Sequence, residues 1–166
     1  MKAFETGGAP VRAALLGICL SALGACGEAY RYLTSGDVGW ALKKEIRDRN
    51  AKEVAIAKLA PFEWDELYLF SPYMRTGLIC AKLALGPAEC GSRITKESAD
   101  DGQMLMVFRR QGRVVHVEMH YRIHGDFIPA PAGQPLTPAN AIFVVAARRG
   151  AAGGEPWPKL ELKRRP

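Results

Sequence analysis

Two runs of β-forming residues between Met104 and Ile123 meet at Gln111-Gly112, and this junction constrains the fold more than any other feature of the chain. A two-residue loop between strands selects a turn with positive φ, which glycine adopts freely and which matches the twist of paired strands. With Gln111 and Gly112 as the loop, Arg110 opposes Arg113, Phe108 opposes Val115, Met106 opposes Val117 and Met104 opposes Met119. That face is apolar beyond the turn. The other face collects Arg109 with Val114, Val107 with His116 and Leu105 with Glu118, a more polar set, so register and burial agree.

The flanking sequence supplies helices and further strands. Asp37 is placed to cap a helix in which Val38, Ala41, Leu42 and Ile46 recur at three- and four-residue spacing, ending near Asn50. Lys52 to Leu59 and Phe62 to Phe70 read as two strands around a bend at Pro61. A second helix opens at Ser71-Pro72 or at Thr76, continues through Ile79, Cys80, Leu83 and Leu85, and stops at Gly86 and Pro87. Four prolines between Asp126 and Ala139 remove too many donors for regular structure, so that stretch is a loop. Ala141 to Ala147 is a last strand, and 150–166 reads as a flexible basic tail. The expected fold is α+β, a small antiparallel sheet with two helices on one face.

The N-terminus reads as an address. Lys2 and Arg12 stand against one acid, Glu5, and the eleven residues Ala13 to Leu23 carry no charge. That length suits the apolar core of a signal peptide and falls short of the roughly 20 residues that cross a bilayer as a helix. Directly behind it, Leu23-Gly24-Ala25-Cys26 resembles the lipobox of bacterial lipoprotein precursors. The resemblance implies that the first 25 residues are a lipoprotein signal peptide and that the Cys26 thiol receives a diacylglycerol group and becomes the new N-terminus. Ordinary secretion, with the same cut and a plain thiol at Cys26, is the alternative reading of these residues. Several acyl chains hold a protein to a bilayer where one does so only marginally. Gly27 is not the aspartate that favours inner-membrane retention in such precursors, so the expected location is the periplasmic face of the outer membrane. The expected organisation is a signal peptide over 1–25, a tether over 26–36, an α+β domain over 37–149 and the tail.

The 141 residues beyond the signal peptide suit one domain with a single core. The whole chain carries net +6, and loss of Lys2, Arg12 and Glu5 leaves +5, an excess that favours anionic lipid or polymer nearby. No dense basic stripe interleaved with aromatics marks nucleic-acid binding. Of four cysteines, Cys19 lies in the signal peptide and Cys26 is the lipid site, which leaves Cys80 and Cys90. Two thiols in an oxidising compartment form one disulfide if they lie close enough; otherwise Cys80 is a buried apolar residue and Cys90 sits apart in a turn.

His116, Glu118, His120, Arg122 and His124 fall on one side of the second hairpin strand. Histidine and glutamate are competent zinc ligands, yet residues four apart on a strand are roughly 13 Å apart, so two of these histidines cannot chelate one ion unaided. The face reads as a solvated polar surface. Asp65 with Glu66 and Asp100 with Asp101 are sequence neighbours that point apart on a strand, unlike facing catalytic carboxylates. Ser71, Ser92 and Ser98 lack a nucleophile elbow, and no glycine-rich phosphate loop occurs, so no catalytic residue, cofactor or metal site is assigned.

The segment from Phe62 to Tyr73, with Trp64-Asp65, Tyr68, Phe70 and Pro72-Tyr73, is followed by Gly112-Arg113-Val114-Val115 and Gly125-Asp126-Phe127. Together these resemble small bacterial lipoproteins that have no assigned activity. Read as residues alone, Trp64, Tyr68 and Phe70 fill a core and Asp65 satisfies a turn or cap. The expectation is a membrane-anchored periplasmic binding or scaffold protein held to the bilayer through Cys26, with an envelope protein as partner. The alternative is a metal-dependent envelope hydrolase using His116, Glu118 and His120.

Overall fold

The hairpin turn forms at Gln111-Gly112, with φ of 50° and 76°, in a computed structural model that describes residues 36–128, 134–146 and 157–163. The 1–25 signal peptide, the Cys26 lipid site and the tether up to residue 35 lie outside the described residues. The turn is braced from a distance: the Gln111 N–H donates to Asp65 Oδ2 at 2.6 Å, the turn-satisfying role expected of that aspartate.

The strands it joins, β3 (Gln103–Arg110) and β4 (Arg113–Tyr121), keep the expected register for only two pairs. Arg110 opposes Arg113 and Arg109 opposes Val114, but Phe108 then opposes His116, Met106 opposes Glu118 and Met104 opposes His120. A β-bulge takes Val115 out of the ladder, and the half-exposed valine is the extra residue. Because side chains alternate, that one-residue slip reassigns every later residue of β4 to the opposite partner. His116, Glu118 and His120 therefore share a face with Met104, Met106 and Phe108. The expected solvated histidine face is corrected: it is the side on which the larger core packs.

The chain is α+β, and its described residues form three α-helices and two sheets rather than one sheet. In the first sheet, β2 (Glu66–Phe70), β3 and β4 lie in that order, all antiparallel. Both of its faces are buried. Leu67, Leu69, Met104, Met106 and Phe108 join one apolar cluster, while Phe70, Leu105, Val107 and Val114 join another. This second cluster is closed by α2 (Thr76–Lys82) and α3 (Pro87–Arg93), which contribute Ile79, Cys80 and, just beyond α2, Leu83. Gly86-Pro87, expected only to stop a helix, also starts one, because proline at the first helical position fixes φ and lacks only a donor that would have no partner there. Cys80 and Cys90 are joined by a disulfide across α2 and α3, with their Cα atoms 5.6 Å apart.

The first cluster is closed by α1 (Asp37–Lys43), its π-helical continuation Lys44–Asp48, and the second sheet. That sheet has the order β1 (Glu53–Ala55), β6 (Ile142–Ala146), β7 (Lys159–Leu162), β5 (Asp126–Phe127). All its pairs are antiparallel except β5 with β7. The tail expected over 150–166 is corrected within its described part, and the domain expected to end at 149 extends through β7. Leu160 is fully buried and opposes Val145, and Leu162 opposes Phe143. The alternation of Leu160 and Leu162 with Lys159 and Glu161 is the period-two signal of a strand with one buried face.

Candidate functional site

The most unusual polar group in the domain is the Glu118 carboxylate, whose side chain is only 2% exposed. Helices leave their first N–H groups without intrahelical partners. At α1 the N-cap residue is Gly36, which offers no side chain, and Asp37 points outward, so the capping role expected of Asp37 goes elsewhere. Glu118 supplies it from 80 residues away. Its Oε2 accepts the Val38 N–H at 3.1 Å and its Oε1 accepts the Gly39 N–H at 2.8 Å. An anion at a helix N-terminus is favoured both by these donors and by the helix dipole. Gly36 is required by the same geometry, since a Cβ there would overlap the Glu118 carboxylate and the Glu118 Cβ.

Two histidines complete the cluster from the same strand. His116 Nε2 donates to Glu118 Oε2 at 2.8 Å, and its ring, a quarter exposed, lies against Phe62 with centroids 4.5 Å apart. His120 is fully buried, and its Nε2 bonds the Gly125 carbonyl at 2.6 Å. A carbonyl only accepts, so Nε2 carries the proton and Nδ1, which has no partner among the described residues, carries the lone pair. Burial depresses the His120 pKa, against opposing contributions from the Gly125 carbonyl, Glu118 and Asp126. His124, expected to share the strand, instead sits in a 3-10 turn (Arg122–His124) after it, edge-on to Trp40 at 5.9 Å. Burial first, then the charges of His120, Lys43 and Arg47, bring its pKa down to about 4.

These lowered values have a definite sign. Between pH 6.5 and the lowered folded values the unfolded chain binds more protons than the folded one, so stability falls as the pH is lowered through that window. The thermal midpoint is expected to be level above about pH 7 and to decline between 6.5 and 4. His124→Gln should shallow that decline while leaving the midpoint at pH 8 nearly unchanged. Equal slopes for the two proteins in a pH series of thermal melts would contradict this account.

The arrangement locks α1 to β4. Both Glu118 oxygens are engaged by N–H donors, and His120 spends its proton on a carbonyl. Among the described residues no three His, Cys, Asp or Glu side chains converge as ligands. The strand on which a metal-dependent hydrolase would have relied thus turns its groups into the joint between helix and sheet. An open cleft of about 190 Å³ between Glu45, Glu53 and Lys58 is smaller than the roughly 300 Å³ at which small-molecule sites begin.

Two further residues position elements: Glu97, which the sequence did not single out, and Arg122, expected on the strand face and found in the 3-10 turn after it. Glu97 Oε2 accepts the Thr76 N–H at 2.8 Å and its hydroxyl at 3.1 Å, capping α2, and these bonds lower the Glu97 pKa. Arg122 donates to both oxygens of buried Asp126, at 2.7 and 3.1 Å, and its guanidinium lies 5.2 Å from the Trp157 ring centroid. Asp126 in turn donates its N–H to the Pro158 carbonyl at 2.7 Å, so this pair holds the entry to β7. Glycines at Gly36 and Gly39, flanking the start of a helix, were the legible signal for a close approach there. No protein-family model matches the chain, and neither does any curated protein or solved structure.

Proposed function

We propose that the chain is an exported, lipid-anchored envelope protein whose domain works by binding rather than by catalysis. The observation that carries the reading is the Cys80–Cys90 disulfide, because structural disulfides persist in oxidising compartments and are rare in the cytosol. It supports export independently of the N-terminal residues, where a basic segment, an uncharged run and Leu23-Gly24-Ala25-Cys26 stand in the order of a lipoprotein precursor. No described helix is long and apolar enough to cross a membrane. Acylated Cys26 is the membrane attachment in this reading, and the periplasmic face of the outer membrane is the location. Binding is favoured over chemistry because the polar cluster of β4 is consumed internally, while Tyr73 and Leu78 are 58% and 60% exposed. Tyr73 is held at φ 62°, a backbone region costly for a bulky side chain, with its N–H bonded to the Ser98 carbonyl at 3.1 Å. An envelope protein is the partner class for this surface. Tethering raises the domain's effective concentration for such partners.

Feeding labelled palmitate to cells expressing the chain tests the anchor. Label is expected on the wild-type protein and absent from Cys26→Ala. Unlabelled wild type, or a mature product that retains residues 1–25, would overturn the reading.

A further inference from the structure

The α1 helix and its continuation carry two stripes. Val38, Leu42 and Ile46 are buried in the larger core, whereas Trp40, Lys43, Lys44 and Arg47 recur at spacings of three and four on another side. The second stripe is contiguous with the turn after β4. Lys43 Nζ lies 4.2 Å from the Trp40 ring centroid, Trp40 meets His124 at 5.9 Å, and His124 lies 6.2 Å from the Tyr121 ring. Arg47 Nη2 donates to the Ile123 carbonyl at 3.3 Å, and the Ile123 side chain is 38% exposed. Basic side chains, amphipathic rings and an exposed isoleucine thus form one patch. Lys43 and Arg47 are near enough to His124 that their charges add to burial in lowering its pKa. Of the acids on this helix, Glu45 pairs with Arg49, and Asp37 and Asp48 are exposed.

We propose that this patch, centred on Trp40, Lys43, Lys44 and Ile123, is an interaction surface that rests on an anionic lipid bilayer. Its chemistry is that of an interfacial contact: lysines attract anionic headgroups, tryptophan favours headgroup depth, and isoleucine enters the acyl boundary. The chain leading to it supplies the second argument. The proposal rests on the Cys26 anchor, and only ten peptide links separate Cys26 from Gly36, a reach of about 35 Å at full extension. The first helix is therefore the folded element nearest the anchor along the chain, and its start lies no farther than that reach from the anchor.

The test uses the full chain with Cys26→Ser and Trp157→Phe, in which Trp64 is buried and Trp40 reports the surface. Quenching of Trp40 by brominated acyl chains is titrated with phosphatidylglycerol and with phosphatidylcholine vesicles. Quenching is expected at about thirtyfold lower lipid with the anionic vesicles, at roughly 1 kcal/mol for each of the two lysines, and the advantage should shrink as salt is raised. Lys43→Gln with Lys44→Gln should abolish it while leaving the circular dichroism spectrum unchanged. Equal quenching by both lipids, or an anionic advantage that survives the double substitution, would overturn the proposal. Shielding of Trp40 that grows with protein concentration in the absence of lipid would also overturn it, in favour of a second copy of the chain. The palmitate experiment fails or succeeds separately: label without lipid-selective quenching keeps the anchor and removes this surface, and the converse keeps the surface and removes the anchor.

Discussion

Glu118→Ala is expected to lower stability by about 3 kcal/mol, because it leaves buried N–H groups of Val38 and Gly39 and the His116 ring without an acceptor. For a domain of this size that corresponds to a fall of about 10 °C in the thermal midpoint. Glu118→Gln, which keeps one accepting oxygen and the side-chain volume, should cost about half as much. The effect belongs to one joint, which a cycle of substitutions can demonstrate. Gly36→Ala forces the carboxylate out of its seat and should be nearly as damaging as Glu118→Ala. In the Glu118→Ala background the same glycine change should cost less than in the wild type, since the carboxylate is gone and only the Cβ at position 118 is left in its way. Additive losses in thermal melts of the three variants would show that helix and strand are held by something else.

The second large effect concerns the cap formed by α2 and α3. Cys80→Ala with Cys90→Ala, or reduction of the wild type, is expected to cost about 3 kcal/mol through the freed conformational entropy of a short unfolded-chain loop. The linked residues are ten apart in sequence, and Cys80 is buried among Ile79, Leu83, Leu105 and Val107. Loss of the link should loosen this cluster first. Amide exchange in α2 and α3 should therefore rise more than in β6 and β7, and the thermal midpoint of the wild type should drop on adding reductant. Identical midpoints with and without reductant would remove the disulfide from the account of stability.

Where the fold was legible in the sequence, the signal was local. Gln111-Gly112 carried its turn in two residues, the run from Phe62 to Phe70 carried a strand that forms over its second half, and Val38, Leu42 and Ile46 carried the buried side of a helix. The misreadings arose where a distant residue decided the outcome. Strict alternation placed Val115 in the ladder, and nothing within β4 announces that it bulges out. That single displacement moved three polar side chains from the expected solvent face to the core. The caps of α1 and α2 were sought in the nearest Asp, Ser or Thr, whereas Glu118 and Glu97 supply them from other segments. The strand Lys159–Leu162 was hidden between Pro158 and a basic run, a composition that reads as tail until its partners β5 and β6 are known. Spacing along one strand grouped His116, Glu118 and His120 on one side, but it reports which groups share a side and not which donors occupy them.

The position of β7 between β6 and β5 also governs the order in which the domain can be completed. Its neighbours on either side come earlier in the sequence, and neither pairs with the other in its absence. A chain threaded through a membrane pore N-terminus first would deliver this keystone strand after both of its neighbours. The larger core would stay unsealed on that side until residues 159–162 had emerged.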